Sequence, residues 1–251
     1  MRRAILSLVV VAAAAILAAP GFALDDVFQQ TYPLPAGGSF ELQNVNGAVV
    51  VSGWEREAVE VYAKKTTRGN PRDLERVRIE VNARPDSVSV QTRYPQGDGV
   101  AVSVEYRIRV PRRVELRQVA TVNGAVRVFG VEGAGELRSV NGNVEAYDSA
   151  GRLSVRTTNG NVRVELRQLD AGKPISVETV NGSVVLALPA DAGAELDARS
   201  VNGNFRSELP LTLEGSLGVR EFRGRLGSGG SPVRIRTVNG GIRVVATRPT
   251  V

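Results

Sequence analysis

Seven Asn-Gly dipeptides recur in closely similar contexts along this 251-residue chain, and they constrain its fold more than any other feature. The surrounding residues follow the pattern apolar-x-apolar-x-Ser/Thr-Val-Asn-Gly-x-Val/Ile/Phe. From the second dipeptide onward, the successive spacings are 18, 18, 22, 21 and 37 residues. Self-similarity at such periods is the sequence signature of stacked repeat architectures. The asparagines of the seven dipeptides are Asn46, Asn123, Asn141, Asn159, Asn181, Asn202 and Asn239.

Apolar residues alternate within each unit, which predicts β-strands. In the unit around Asn159, Leu153 and Thr157 share the phase of the asparagine, so these side chains are expected to face the core. After the glycine the apolar phase moves to Val162, an odd offset that requires a bend at Asn-Gly.

Two folds accommodate this bend. In a hairpin, Asn-Gly forms the two-residue turn between antiparallel strands. In a parallel β-solenoid, or β-helix, each unit is one rung and Asn-Gly is a corner. The hairpin would place Arg156 opposite Arg163 and Arg199 opposite Arg206, and directly opposed like charges are destabilising. The sequence therefore predicts an all-β, parallel β-solenoid of Val-Asn-Gly repeats, with an antiparallel β-hairpin repeat sheet as the alternative.

The solenoid also explains why the same polar residues recur in every unit. Equivalent positions of successive rungs stack about 4.8 Å apart, so each Asn amide can donate to the carbonyl of the next. We therefore predict that the seven asparagines form a structural ladder and not a ligand site. The long gap between Asn202 and Asn239 is interpreted as containing a degenerate unit, Glu221–Leu226, with Arg223 at the asparagine position.

The sequence before the main repeat array has a different pattern of residues. Residues 24–112 alternate as strands separated by turns and include the first Asn-Gly unit. Because a repeat array exposes an apolar rung at each end, we predict that this N-terminal β region caps one end of the solenoid. The predicted parts are a signal peptide over residues 1–23, the β region over 24–112 and the solenoid repeats over 113–251.

The N-terminus has the features of a cleaved secretory signal peptide. Arg2 and Arg3 precede an apolar run that ends at the small-x-small site Gly21-Phe22-Ala23. We expect an exported protein, periplasmic, at the cell surface or secreted, with no transmembrane span after cleavage. Cleavage leaves 30 cations against 26 acids, a net charge of +4. No basic run with interleaved aromatic residues is present, so no nucleic-acid partner is predicted.

The composition excludes several kinds of active site. The chain has no Cys and no His, which removes zinc–thiolate sites, nucleophilic thiols and Ser-His-Asp hydrolases. The acids are scattered, and the sequence contains no phosphate loop and no Gly-x-Ser-x-Gly elbow. We therefore predict no catalytic residue, no metal and no cofactor. The alternative is a carbohydrate-active enzyme on a β-helix fold, which would need a groove with converging carboxylates.

Two outward positions, three residues before and four residues after the asparagine, often carry arginine. Stacked rungs would align them as two basic stripes, interrupted by Glu145 and Glu178. Because guanidinium groups suit phosphates and carboxylates, one hypothesis is a face that binds anionic envelope polymers. The simpler interpretation is a solvated face of an Arg-rich protein. The residues are Arg138, Arg156, Arg199 and Arg236 before the asparagine, and Arg127, Arg163, Arg206 and Arg243 after it.

The chain resembles the bacterial putative adhesin family, a β-strand-repeat domain of unknown function found in exported and envelope proteins. The resemblance rests on the signal peptide, the strand over residues 100–111 and the repeated Val-Asn-Gly-x-Val units, and it covers nearly all of the mature chain. It implies a solenoid-like fold and a surface or periplasmic setting. We predict a non-catalytic envelope scaffold or adhesion and interaction module that contacts anionic polymers or another envelope protein. A periplasmic accessory factor or sensor for envelope stress is a further alternative.

Overall fold

The structure is a computed structural model that describes residues 25–97, 100–213 and 220–247. The signal peptide predicted over residues 1–23 lies outside the described residues. The described residues form 21 β-strands and one short helix, α1 (Asp73–Arg76), so the prediction of an all-β chain is confirmed. No helix in this part of the chain has the length and apolar character needed to cross a bilayer.

The strands fall into an N-terminal group and a longer group that follows it. The first group comprises β1 (Asp26–Pro33), β2 (Ser39–Gln43), β3 (Val49–Trp54), β4 (Ala58–Thr67), β5 (Arg78–Arg84), β6 (Ser87–Arg93) and β7 (Val102–Pro111). The second comprises β8 (Glu115–Asn123), β9 (Val126–Phe129), β10 (Gly135–Asn141), β11 (Val144–Ser149), β12 (Leu153–Asn159), β13 (Val162–Leu166), β14 (Ile175–Asn181), β15 (Val184–Leu188), β16 (Ala194–Asn202), β17 (Phe205–Ser207), β18 (Leu211–Leu213), β19 (Glu221–Leu226), β20 (Ser231–Asn239) and β21 (Ile242–Ala246).

Two large, mostly parallel sheets contain all of these strands. The first sheet has 11 strands in the order β18-β19-β16-β20-β14-β12-β10-β8-β2-β6-β5. The second has 10 strands in the order β1-β4-β7-β3-β9-β11-β13-β15-β21-β17. Buried and exposed residues alternate along the strands, and the buried side chains of both sheets form one hydrophobic core. Each sheet therefore has one face on the core and one face in solvent.

Each Asn-Gly dipeptide carries the chain from the first sheet to the second. In one unit, β12 ends at Asn159 in the first sheet and β13 begins at Val162 in the second. The strands on the two sides of Asn-Gly pair in parallel with neighbouring units and not with each other, as the pairing of Asn159 with Asn181 illustrates. The hairpin alternative is therefore wrong for these units.

The units do not stack in sequence order. β20, from the last unit, lies between β14 and β16 and pairs in parallel with both. The interpretation of Glu221–Leu226 as a degenerate unit is wrong, because this segment is a continuous strand, β19, that pairs antiparallel with β16 and places Arg223 opposite Asp197. Between Asn202 and Asn239 the chain forms β18 and β19 at the end of the first sheet. It then returns to place β20 between β16 and β14, which accounts for the long spacing.

The N-terminal strands occupy the other end of both sheets. β2 and β3 form the first Asn-Gly unit and pair in parallel with β8 and β9. Beyond them, β6 and β5 continue the first sheet, while β7, β4 and β1 continue the second. The outermost pairs at this end, β5 with β6 and β1 with β4, are antiparallel.

Candidate functional site

The seven asparagines lie side by side in one row along the stack. In all of them except Asn46, which begins the row, the amide Nδ2 donates to Oδ1 of the neighbour nearer the N-terminal end. Asn159, in the middle, donates to Asn141 at 2.9 Å and accepts from Asn181 at 2.8 Å. The other four bonds run from Asn123 to Asn46, from Asn141 to Asn123, from Asn239 to Asn181 and from Asn202 to Asn239, at 2.7 to 2.8 Å.

This asparagine row lies on the surface and not in the core, where the strand phase had suggested it would be. Asn159 is exposed, whereas Thr157, two residues earlier, is buried. The reason is the bend at Asn-Gly, which turns the last residue of the strand away from the core-facing side. The asparagines are therefore bonded to one another at the rim of the stack.

A row of buried Ser and Thr residues, two positions before the asparagines, also joins the units. Thr157 Oγ1 donates to the carbonyl oxygen of Gly142 at 2.9 Å, and Thr179 Oγ1 donates to that of Gly160 at 3.0 Å. Burying a hydroxyl without a partner is costly, so this bond explains the preference for Ser or Thr. The equivalent bonds run from Thr121 to Gly47, from Ser139 to Gly124, from Thr237 to Gly182 and from Ser200 to Gly240.

Asparagines after the glycine add bonds in the middle of the stack. Asn143 Oδ1 accepts from the backbone N–H of Asn161 at 2.9 Å, and Asn161 Oδ1 accepts from the backbone N–H of Ser183 at 2.8 Å. Asn161 is therefore unsuitable as a control for a substitution at Asn159, because it also bonds to neighbouring units. Thr158 is a better one, because it is exposed and its side chain forms no hydrogen bond with any residue that the structure describes.

Replacing Asn159 with alanine is expected to lower the free energy of unfolding by about 1–2 kcal/mol, because two bonds worth roughly 0.5–1.5 kcal/mol each are lost. Thr158→Ala should cost about 0.5 kcal/mol or less. Asn202→Ala should fall between them, since Asn202 ends the row and forms one such bond. Urea unfolding of the three variants measures the differences. Equal losses for Asn159→Ala and Thr158→Ala would contradict a structural role for the row.

The eight arginines lie in two rows on the outer faces of different sheets, so they form two surfaces and not one face. In the first sheet, the strand register aligns Arg138, Arg156, Glu178, Arg236 and Arg199, in that order. In the second sheet, it aligns Arg127, Glu145, Arg163, Val185, Arg243 and Arg206.

Three of the four arginines in the first-sheet row form ion pairs. The Arg199 guanidinium lies 2.8 Å from Glu221, and its hydrogen bond lowers the pKa of that carboxyl. Arg236 has no acidic partner in the part of the chain that the structure describes. Of the four arginines in this row, it therefore has the charge that is most available to a ligand. The other two pairs join Arg156 to Glu178 at 3.2 Å and Arg138 to Glu136.

A groove of about 820 Å³ runs along the outer face of the first sheet, beside this arginine row. It is also lined by a row of valines, one directly before the asparagine in each of six units, which are 36–41% exposed. Arginine and valine stand two residues apart on one strand, so both point away from the core. Thr158 takes the valine position in the remaining unit. The valine row consists of Val45, Val122, Val140, Val180, Val238 and Val201.

Sequence reasoning missed this groove. The signal was present, because the valine before Asn-Gly recurs in six of the seven units in the phase opposite to the buried Ser or Thr. An apolar residue repeated at an outward position predicts a mostly apolar strip once the units are stacked, and large exposed apolar patches mark interaction sites.

The described residues contain no group of three or more acidic side chains placed to hold a metal ion. A cluster of charged residues lies where the chain passes from the second sheet back to the first. There Arg112 lies 3.1 Å from Asp148 and 3.4 Å from Glu132, and Arg167 contacts both of these carboxylates. Each carboxylate is held by two guanidinium groups, as in a structural ion-pair network.

Two mostly parallel sheets, joined at Asn-Gly bends and linked by side-chain rows, define the chain as a stacked β-repeat protein with an amphipathic groove on one outer face. A family model described as Toastrack DUF4097 matches residues 39–245. The chain belongs to this family, and the resemblance to bacterial putative adhesins is confirmed.

The solved structures that are similar to the chain share little sequence with it. A putative cell adhesion protein from Clostridium sporogenes ATCC 15579 is 13% identical, with a TM-score of 0.54 over 88% of this chain and 100% of that chain. A putative adhesin from Bacteroides fragilis NCTC 9343 is 11% identical, with a TM-score of 0.46 over 87% of this chain and 97% of that chain. No significant relative is found among curated proteins.

Proposed function

We propose that the chain is an exported, non-catalytic β-solenoid that serves as an envelope or surface scaffold or as an adhesion and interaction module. Its family and the structural neighbour named as a putative cell adhesion protein agree with such a module. Export, to the periplasm, the cell surface or the medium, is supported by the signal-like residues 1–23. The most crowded carboxylates, Glu132 and Asp148, are each held by arginines, which favours a structural role for them over catalysis.

The solenoid architecture is supported by the pairing between units. Equivalent residues face each other in parallel register, as Val155 faces Val177 and Asn159 faces Asn181. In this proposal residues 113–251 supply most of the rungs, and residues 24–112 cap the apolar end of the stack with antiparallel strands.

The arginine row of the first sheet carries the functional part of the proposal. Four guanidinium groups and one carboxylate line the same groove, so positive charge prevails there even though three of the four arginines are paired with acids. A surface of this sign attracts polymers or proteins that present phosphates or carboxylates at regular intervals. We propose that an anionic envelope polymer, or an acidic envelope protein, docks along this row.

Charge reversal of the first-sheet row, with Arg138, Arg156, Arg199 and Arg236 all changed to Glu, is expected to weaken binding to alginate, a polyuronate, by about tenfold or more. The control reverses Arg127, Arg163, Arg206 and Arg243 on the second sheet and changes the net charge by the same amount. The measurement is the dissociation constant at fixed salt, with circular dichroism to verify folding. Equal weakening by both sets would mean that only net charge matters and would overturn the assignment of the first-sheet row.

A further inference from the structure

The groove on the first sheet combines a charged surface with an apolar one. A purely ionic ligand would contact only the charged surface. One side is the arginine row, and the other is the row of six exposed valines. Seven stacked positions about 4.8 Å apart span about 29 Å, and Thr158 is the one polar residue among the six valines, so the row is long, narrow and mostly apolar. A ligand that matches it has an extended apolar part and an anionic group beside it.

The valine row favours an aliphatic chain over an added peptide strand or a stacked sugar ring. The floor of the groove is a sheet face between paired strands, whose backbone groups are engaged within the sheet and offer no edge to an added peptide strand. No Trp, Tyr or Phe lines it, so it lacks the aromatic faces on which sugar rings stack. A hydrocarbon chain needs no hydrogen bonds and gains from covering exposed valine side chains.

Arg236 supplies the cation for the anionic end. Its strand neighbours in the groove are Glu178 on one side and Arg199 on the other, and Arg199 is bonded to Glu221. The described residues offer Arg236 no acidic partner of its own, so a ligand phosphate or carboxylate would find an available guanidinium there. Val238 lies two residues along the same strand, which places an apolar contact next to this charge.

We propose that this groove binds a single anionic lipid, with its acyl chain along the valine row and its phosphate or carboxylate on Arg236. The inference rests on the proposed function, in that it assigns a ligand class to the face described there as the docking surface. The valine row is one residue wide on each strand, which suits one chain laid along it more than the plane of a bilayer.

The first experiment measures binding of monomeric octanoate, decanoate and dodecanoate to the purified protein by calorimetry. The dissociation constant is expected to fall by about twofold for each added methylene, because the groove is open on one side and buries each only in part. A dissociation constant that does not change with chain length would overturn the proposal.

Paired variants then locate the site. Val180→Asp and Arg236→Glu, both in the groove, should each weaken dodecanoate binding by about tenfold. Val185→Asp and Arg243→Glu are their counterparts in the same units on the outer face of the second sheet, and they should leave binding unchanged. Equal effects of groove and control variants would overturn the assignment.

A variant that is expected to tighten binding serves as a control, because misfolding would weaken binding and not strengthen it. Glu178 lies between Arg156 and Arg236 in the register and pairs with Arg156. Glu178→Gln raises the net charge of the groove and should tighten dodecanoate binding by about threefold. Weaker or unaltered binding would contradict the placement of the anionic group.

The same variants separate this inference from the function on which it rests. If the protein sediments with phosphatidylglycerol vesicles but binds no monomeric dodecanoate, the groove docks on a membrane surface and the single-lipid proposal fails. If the first-sheet arginines are needed for alginate binding while no fatty acid binds, the docking function stands and the lipid inference falls.

Discussion

Gly160→Ala is expected to lower the free energy of unfolding by about 3 kcal/mol, the upper range for forcing an extra group into a packed interior. A β-carbon on Gly160 would lie 2.1 Å from the carbonyl oxygen of Gly142 in the neighbouring unit. That carbonyl also accepts the Thr157 hydroxyl at 2.9 Å, so it cannot move away without loosening a buried hydrogen bond. The backbone of Gly160 is not in the left-handed region, so the cost arises from contact between units.

The matched control for this substitution is Gly69→Ala. The nearest atom to a β-carbon there is Thr67 Oγ1 at 3.7 Å, and Gly69 also has no left-handed backbone. The control should change stability by about 0.5 kcal/mol or less. Denaturant unfolding followed by circular dichroism measures both. A loss at Gly160 no larger than that at Gly69 would show that the units can separate enough to accept a side chain.

The all-β fold could be predicted from the sequence, but this role of glycine could not. Alternation of apolar residues and the odd phase shift at Asn-Gly predicted an all-β chain with a bend in each unit, and both features are present. The sequence could not show that the glycine is needed because two backbones approach each other closely. That requirement depends on a contact between residues 18 positions apart, such as Gly142 and Gly160, and not on the local conformation.

The order in which the units stack could not be predicted from the sequence, for a related reason. Successive units resemble one another so closely that local pattern does not determine which pairs with which. The strand ending at Asn239 fits equally beside those ending at Asn181 and Asn202, and the structure places it between them. The one clue was the long spacing after Asn202, which accommodates the antiparallel strands β18 and β19 at the end of the first sheet.

The positions within a unit differ in whether they bond to the neighbouring unit or line the groove. The asparagine and the Ser or Thr two residues before it bond to the neighbouring unit and hold the stack together. The residues one and three positions before the asparagine, such as Val180 and Glu178, line the groove and take no part in those two rows. Substitutions at these outward positions can therefore change the surface of the groove while the inter-unit bonds persist.

The first unit departs from this pattern at Asn44, which takes the position of the buried Ser or Thr. Asn44 is 5% exposed, and its Nδ2 donates to the Val104 carbonyl at 2.9 Å and to the carbonyls of Asn46 and Gly47 at 3.2 Å. This unit contacts β7, which is not a repeat strand, and a longer side chain is needed to reach its backbone. Asn44 thus joins the repeats to the N-terminal strands.

A buried chain of hydrogen bonds continues from Asn44. Its Oδ1 accepts from Thr92 Oγ1 at 2.9 Å, and Thr92 Oγ1 lies 2.7 Å from the Tyr106 hydroxyl. Because Thr92 has one hydroxyl proton and gives it to Asn44, the Tyr106 hydroxyl must donate to Thr92. Burial raises the pKa of Tyr106, so its hydroxyl keeps the proton that this bond requires.

Asn44→Ala is therefore expected to lower the free energy of unfolding by about 3 kcal/mol, because it leaves the buried Val104 carbonyl without a partner and removes the acceptor of the Thr92 hydroxyl proton. Ser139→Ala, at the same position of a later unit, removes one bond of 2.8 Å and should cost about 1 kcal/mol. Asn44→Thr restores the residue type of the other units but is too short to bond both Val104 and Thr92, so its cost should lie between these. Thermal and urea unfolding of the three variants test this order. If Asn44→Ala costs no more than Ser139→Ala, the N-terminal strands do not depend on Asn44 for their attachment to the repeats.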